Sequence, residues 1–181
     1  MKRNSWKRMW PIFLCIGLLL TACGGSSGND KGLLGYALDV KSDMAGPKGL
    51  EYRMTSEQVA QARNLTDAKV NEQDQIIHPM SLEGLSDEVQ EIFIFQDNEL
   101  CSVLYAVPVK SDSFDAVQQD LLKQAEEMLP AEWKLGEDGS EQIIWQDPQN
   151  NQVQLQFMKE KEMVFLKMSM AHPSRTSLEP K

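Results

Sequence analysis

Glu88-Val89-Gln90-Glu91-Ile92-Phe93-Ile94-Phe95-Gln96-Asp97-Asn98-Glu99-Leu100-Cys101-Ser102-Val103-Leu104-Tyr105-Ala106-Val107 is the stretch on which the fold turns. Two runs rich in β-branched and aromatic residues flank Asp97-Asn98, a pair that tolerates the left-handed backbone of a tight turn. A hairpin of strands 88–95 and 99–107 is therefore expected. Period-two alternation puts Val89, Phe93 and Phe95 on one side of the first strand and Ile92 and Ile94 on the other, so both of its faces are expected to be covered. Cys101, beside Val103 and Tyr105, reads as a small buried hydrophobe rather than a reactive thiol.

Downstream of the hairpin, Ser111, Asp112 and Ser113 offer N-caps to a helix in which Phe114, Val117, Leu121, Ala125 and Met128 recur at three- and four-residue steps. Asp112 and Asp115 sit at its positive end, and Pro130 stops it. Three strands follow, at 141–146, 152–158 and 163–170. Val153, Leu155 and Phe157 alternate with Gln152, Gln154 and Gln156, so one face of this sheet should be wet. Residues 173–181 read as a loose tail.

Upstream, Thr55 and Gln58 have capping-box spacing and predict a helix over 56–63, with Val59 and either Ala60 or Ala62 inward. Residues 75–78 give at most a short strand, stopped by Pro79. Residues 33–40 read as a first strand or an extended lead-in, and 42–48 as a loop. The order helix then strands occurs twice, which suggests a duplicated unit. The expected fold class is α+β, with helices packed on one face of an antiparallel β-meander.

The chain begins with Lys2, Arg3, Lys7 and Arg8, without an acidic residue, and continues into a short apolar run from 12 to 20. That is the pattern of a secretory signal, and the run is about half of the ~20 residues a membrane helix needs. Leu20-Thr21-Ala22-Cys23 resembles the lipobox of bacterial lipoproteins. The resemblance implies cleavage between Ala22 and Cys23 and lipid on the Cys23 sulfur, giving an envelope protein anchored to a membrane. Gly24 after that cysteine is similar to the set sorted to the outer membrane where the envelope has two. The division implied is a signal at 1–22, a lipidated cysteine and flexible linker at 23–32, a single domain at 33–172 and a tail at 173–181.

The chain carries a net charge of −9, and the signal holds four cations and no anion, so the part from Cys23 onward stands at −13. Such a domain is repelled by phosphate backbones, which argues against a nucleic-acid partner. With Cys15 in the signal and Cys23 acylated, Cys101 has no intrachain disulfide partner. The layout also resembles small α+β envelope lipoproteins, the family of the BamE component of outer-membrane assembly and the β-lactamase-inhibitor-like domains. The likeness is carried by Gly49-Leu50-Glu51-Tyr52-Arg53-Met54-Thr55-Ser56-Glu57-Gln58-Val59, where Arg53 stands in a place that the pattern gives to glycine.

Catalytic signatures are lacking. His78 and His172 each adjoin a proline and read as surface histidines, without hairpin or helical spacing to a carboxylate, so no metal or cofactor is expected. Glu126-Glu127 and Glu137-Asp138 read as solvated faces, and Asp138-Gly139 and residues 147–151 as hairpin turns rather than calcium ligands. Trp145 reads as core, whereas Trp133, between Glu132 and Lys134, is expected to be partly exposed and to anchor a partner. Met158, Met163, Met168 and Met170 read as core filling. The resulting expectation is a non-catalytic module that binds another envelope protein; the alternative is a carrier or sensor of a small apolar ligand or lipid held between helices and sheet.

Overall fold

The computed structural model describes residues 32–135 and 142–171. Ala22, Cys23, the linker as far as residue 31, Glu137-Asp138, Gly139, His172 and the tail lie outside the described residues, while Gly32, read as the linker's last residue, opens the first helix. Two sheets form: a two-stranded β1(Leu38–Lys41)–β2(Met44–Pro47) hairpin, and a six-stranded antiparallel sheet of order β3-β4-β5-β8-β7-β6. Its strands are β3(Gln75–Leu82), β4(Ser86–Gln96), β5(Glu99–Pro108), β6(Gln142–Gln146), β7(Gln152–Met158) and β8(Met163–Ser169). The helices are α1(Gly32–Ala37), α2(Ser56–Ala62) and α3(Phe114–Met128). The fold is α+β, as the sequence predicts. Helix then three strands occurs twice, and the two meanders meet through their last strands, β5 against β8.

The predicted hairpin closes through Asp97 and Asn98, both with positive φ. Ile94 pairs with Ser102 and Phe95 with Leu100, so Cys101 is the extra residue of a β-bulge. It is half-buried, and its thiol donates to the Ile94 carbonyl at 3.3 Å. The expectation of a fully buried Cys101 is corrected by that bulge, which takes it out of the alternation of Val103 and Tyr105.

Alternate residues of the six strands enter one core with the buried residues of the helices: Val89, Phe93, Val103, Tyr105, Leu155, Leu166 and Met168 from the sheet, Leu33, Leu34, Val59, Phe114, Leu121 and Ala125 from α1, α2 and α3. A fully buried side chain of this size stabilises by about 1.5–3 kcal/mol. β4 is therefore one-sided, and the second layer expected over Ile92 and Ile94 is not formed by any described helix. Their half-burial comes with their place among cross-strand neighbours.

Other expectations need amending. Residues 32–37 are helical, because Leu33, Leu34 and Ala37 bury one face of a short turn against the core, and 44–47 form a strand instead of a loop. β3 runs through Pro79 to Leu82. It is an edge strand with a neighbour on one side only, which is where a missing N–H is tolerated. The capping box at α2 is present in both directions, Thr55 to Gln58 and back. At α3 the Ser113 hydroxyl donates to the Lys110 carbonyl instead of capping, and the helix start is tied down by Asp115, whose carboxylate accepts from Lys159 at 2.6 and 2.8 Å.

The turn between β6 and β7 is held by Asp147, whose buried carboxylate accepts from the backbone of Gln149 and Asn151 and from the Asn151 amide. It also accepts from Ala45 N at 3.1 Å, which fastens the β1–β2 hairpin to the main sheet. Four donors use up the carboxylate, in agreement with a hairpin turn at 147–151. Arg53 is left-handed, with φ 71, while its N–H donates to Leu100 O and Leu100 N donates to Met54 O. Glycine adopts that backbone freely; a β-branched residue does not. Arg53→Val should cost about 1–2 kcal/mol in urea unfolding and Arg53→Gly nothing measurable. An equal loss from both would show that the guanidinium, not the backbone, matters here.

Candidate protein-docking face

The face of the large sheet turned away from the helices is laid out by the pairing register. Three neighbouring rows cross all six strands: Ile77, Ile92, Leu104, Lys167, Gln154, Ile144; then Gln75, Ile94, Ser102, Ser169, Gln152, Gln146; then Pro79, Gln90, Ala106, Phe165, Gln156, Gln142. Lys167 is the one charged residue in these rows, with Glu88 and Glu99 towards strand ends. A quarter of the chain is charged, so three rows of six would at that average hold four or five charges. Depletion of charge with retained aliphatic and aromatic residues is the compositional mark of an interface core.

The face has two halves. On the β3, β4, β5 side Ile77, Ile92, Ile94, Leu104 and Ala106 run together, with Phe165 of β8 beside Ala106, and Ile77 is 50% exposed. On the β7 and β6 side the residues are mainly glutamines. Five inter-strand spacings of about 4.8 Å make the face roughly 24 Å wide, and five residues of strand make it roughly 15 Å long. That gives about 350 Å² for the whole face, its glutamine half included. A depression of about 630 Å³ lies at the Ser102 and Ser169 end, with Lys167, Gln152, Gln96 and Cys101 in its wall. Burial raises the Cys101 thiol pKa, which disfavours the thiolate.

The edges are less available than the face. Pro79 interrupts the N–H row of β3, and Lys134 and Leu135 pair along β6, with Leu135 N donating to Ile144 O at 2.8 Å. Both are ways in which edge strands are kept from adding a foreign strand. A second depression, about 560 Å³, sits between the β1–β2 hairpin, Leu50 to Arg53 and the β6–β7 turn. Neither of these two depressions lies between helices and sheet, where a carrier would hold an apolar cargo.

Trp133 is not a partner anchor: it is 6% exposed, in a single 3-10 turn after Pro130, and packs into the core with Trp145. The charged neighbours that suggested exposure point away from a turn whose third residue faces inward. Of the methionines, Met168 is core, while Met158 and Met163 are cross-strand partners on the open side and are half-buried. Glu126 and Glu127 are solvated.

Among the described residues, buried charged groups converge beneath α2. Glu91 has a 0% exposed side chain on the core side of β4 and accepts from the Tyr105 hydroxyl at 2.6 Å and from Arg63 Nε at 3.0 Å; His78 Nδ1 lies 3.3 Å away. Arg63 is the C-cap of α2 and lies 6.0 Å from the Phe93 ring. Tyr36 of α1 stacks edge-on against Tyr105. His78 is thus the cross-strand partner of a carboxylate, contrary to the reading of it as a bare surface residue. Alternation from Val89 to Phe93 was the available signal for Glu91, since it places a carboxylate in an apolar column. The quartet ties α2 to the sheet. Among the described residues no group of three or more His, Cys, Asp or Glu could hold a metal, and no helix is long and apolar enough to cross a membrane.

No family model matches the chain, and no curated protein or solved structure matches it.

Proposed function

We propose that this chain is an envelope lipoprotein, anchored through lipid on Cys23, whose domain is a non-catalytic module that docks another envelope protein on the open face of its large sheet. The observation that carries the reading is the near absence of charge from that face in an acidic chain. The signal-like first 22 residues and Leu20-Thr21-Ala22-Cys23 support the tether. The blocked edges favour binding by the face over strand addition.

Photo-crosslinking residues placed singly at Ile92, Phe165 and Glu126 in intact cells test the docking. Adducts to one protein from Ile92 and Phe165, with none from Glu126 on α3, are expected. Equal adducts from all three, or none from the sheet in a folded protein, would defeat the reading. Cys23→Ser should move the protein from the membrane fraction to the soluble one or leave it unprocessed. Unchanged fractionation and processing would defeat the tether.

A further inference from the structure

We infer that the partner sets a protein carboxylate, an Asp or Glu side chain, on Lys167 at the centre of the open face; the inference rests on the docking face proposed above. Lys167 is half-buried in β8, flanked in its row by Leu104 and Gln154, and among the described residues it has no ion pair and no hydrogen bond. Long lysines usually reach water along an apolar surface. Covering this face by a partner would strip that water away and leave an ammonium buried without a counter-charge, which is strongly unfavourable. A partner that fits must supply the anion.

The surroundings suit a carboxylate. The depression beside Lys167 is walled by the Ser169 hydroxyl and the Gln152 and Gln96 amides, none of which has a side-chain partner among the described residues. These neutral donors can share the oxygens that a single ammonium leaves over, and charge-assisted hydrogen bonds are about twice as strong as neutral ones. A second copy of this chain fits poorly: a two-fold axis through the middle of the face would set Lys167 against its own mate.

Carbodiimide treatment of intact cells, which joins an ammonium to a carboxylate in contact with it, is the test, run beside the photo-crosslinker at Phe165. An amide linking Lys167 to an Asp or Glu of another protein is expected. The Phe165 adduct should fall at least tenfold with Lys167→Glu and survive Lys167→Arg, with thermal midpoints unchanged. A Phe165 adduct that survives Lys167→Glu overturns the carboxylate while leaving the docking face standing. So does coupling of Lys167 to a cell-wall peptide or to a second copy of the chain. Absence of any Phe165 adduct in the otherwise unaltered chain overturns the docking face itself.

Discussion

Arg63→Met should lower the stability of the domain by about 3–5 kcal/mol at neutral pH, because it leaves the fully buried Glu91 carboxylate without its cation. The thermal midpoint should fall by roughly 10 °C. Methionine keeps most of the aliphatic volume, so the loss is electrostatic rather than a cavity. The pair itself need not be a net source of stability: two charges were taken out of water to form it, and that cost offsets much of their attraction. The double variant Arg63→Met with Glu91→Gln should therefore recover most of what Arg63→Met loses, since an amide can still accept from Tyr105. Urea unfolding of the four proteins closes the cycle. Additive losses would mean that Arg63 acts by packing on Phe93 and not through Glu91.

Alkali should unfold the protein steeply from about pH 10. Tyr105 is fully buried, and burial first, then the Glu91 charge and its hydrogen bond, raise the phenol well above its ordinary value, with Arg63 opposing. Burial, followed by the Asp147 and Cys101 charges, raises Tyr52, whose hydroxyl is buried without a partner among the described residues. Tyr36 is raised too, by burial and Glu91. These are the chain's three tyrosines. A phenol that stays protonated in the folded state while the unfolded chain ionises near pH 10 binds the extra proton when folded. Its contribution is whole below pH 10 and lost as pH rises, by about 1.4 kcal/mol per pH unit for each group. Tyr52 and Tyr105 together predict a loss of about 2 kcal/mol between pH 10 and pH 11, where the unfolded phenols pass from half to nearly full ionisation. Tyrosinate absorbance should appear with unfolding rather than before it, and Tyr105→Phe should flatten the slope by about half. Tyrosines that ionise near pH 10 in the folded protein would refute this.

The elements that announce themselves in the sequence are those in which local chemistry and burial agree. Thr55 and Gln58 define α2 because both capping bonds lie within four residues, and Val153, Leu155 and Phe157 define β7 because its two faces differ in polarity. Where tertiary context decides, the sequence misleads. Pro79 looks like a strand end but lies on an edge, which only the strand order reveals. Leu33 and Leu34 are too few to show a helical period. Ile92 and Ile94 look like a second buried face because aliphatic residues on an open sheet face and aliphatic residues facing a core are the same residue types. For that reason the open face, and the docking proposed on it, was hidden inside the strand reading. Lys167 gave no signal at all; its meaning depends on five neighbouring strands.

The seam between the two meanders bears on how the chain reaches this fold. Within each half the strands are joined by tight or short connections, so their pairing closes small loops. Across β5 and β8 the Ser102 hydroxyl meets Met168 O from 66 residues away, a closure whose entropy must be met before the contact exists. The halves can thus form early and the seam late. Until it closes, β5 and β8 each present an unpaired edge, and the complementary half need not come from the same molecule. Exchange of meanders through the connection from Val109 to Ser113 is the misassembly that this topology invites, and high local concentration would favour it.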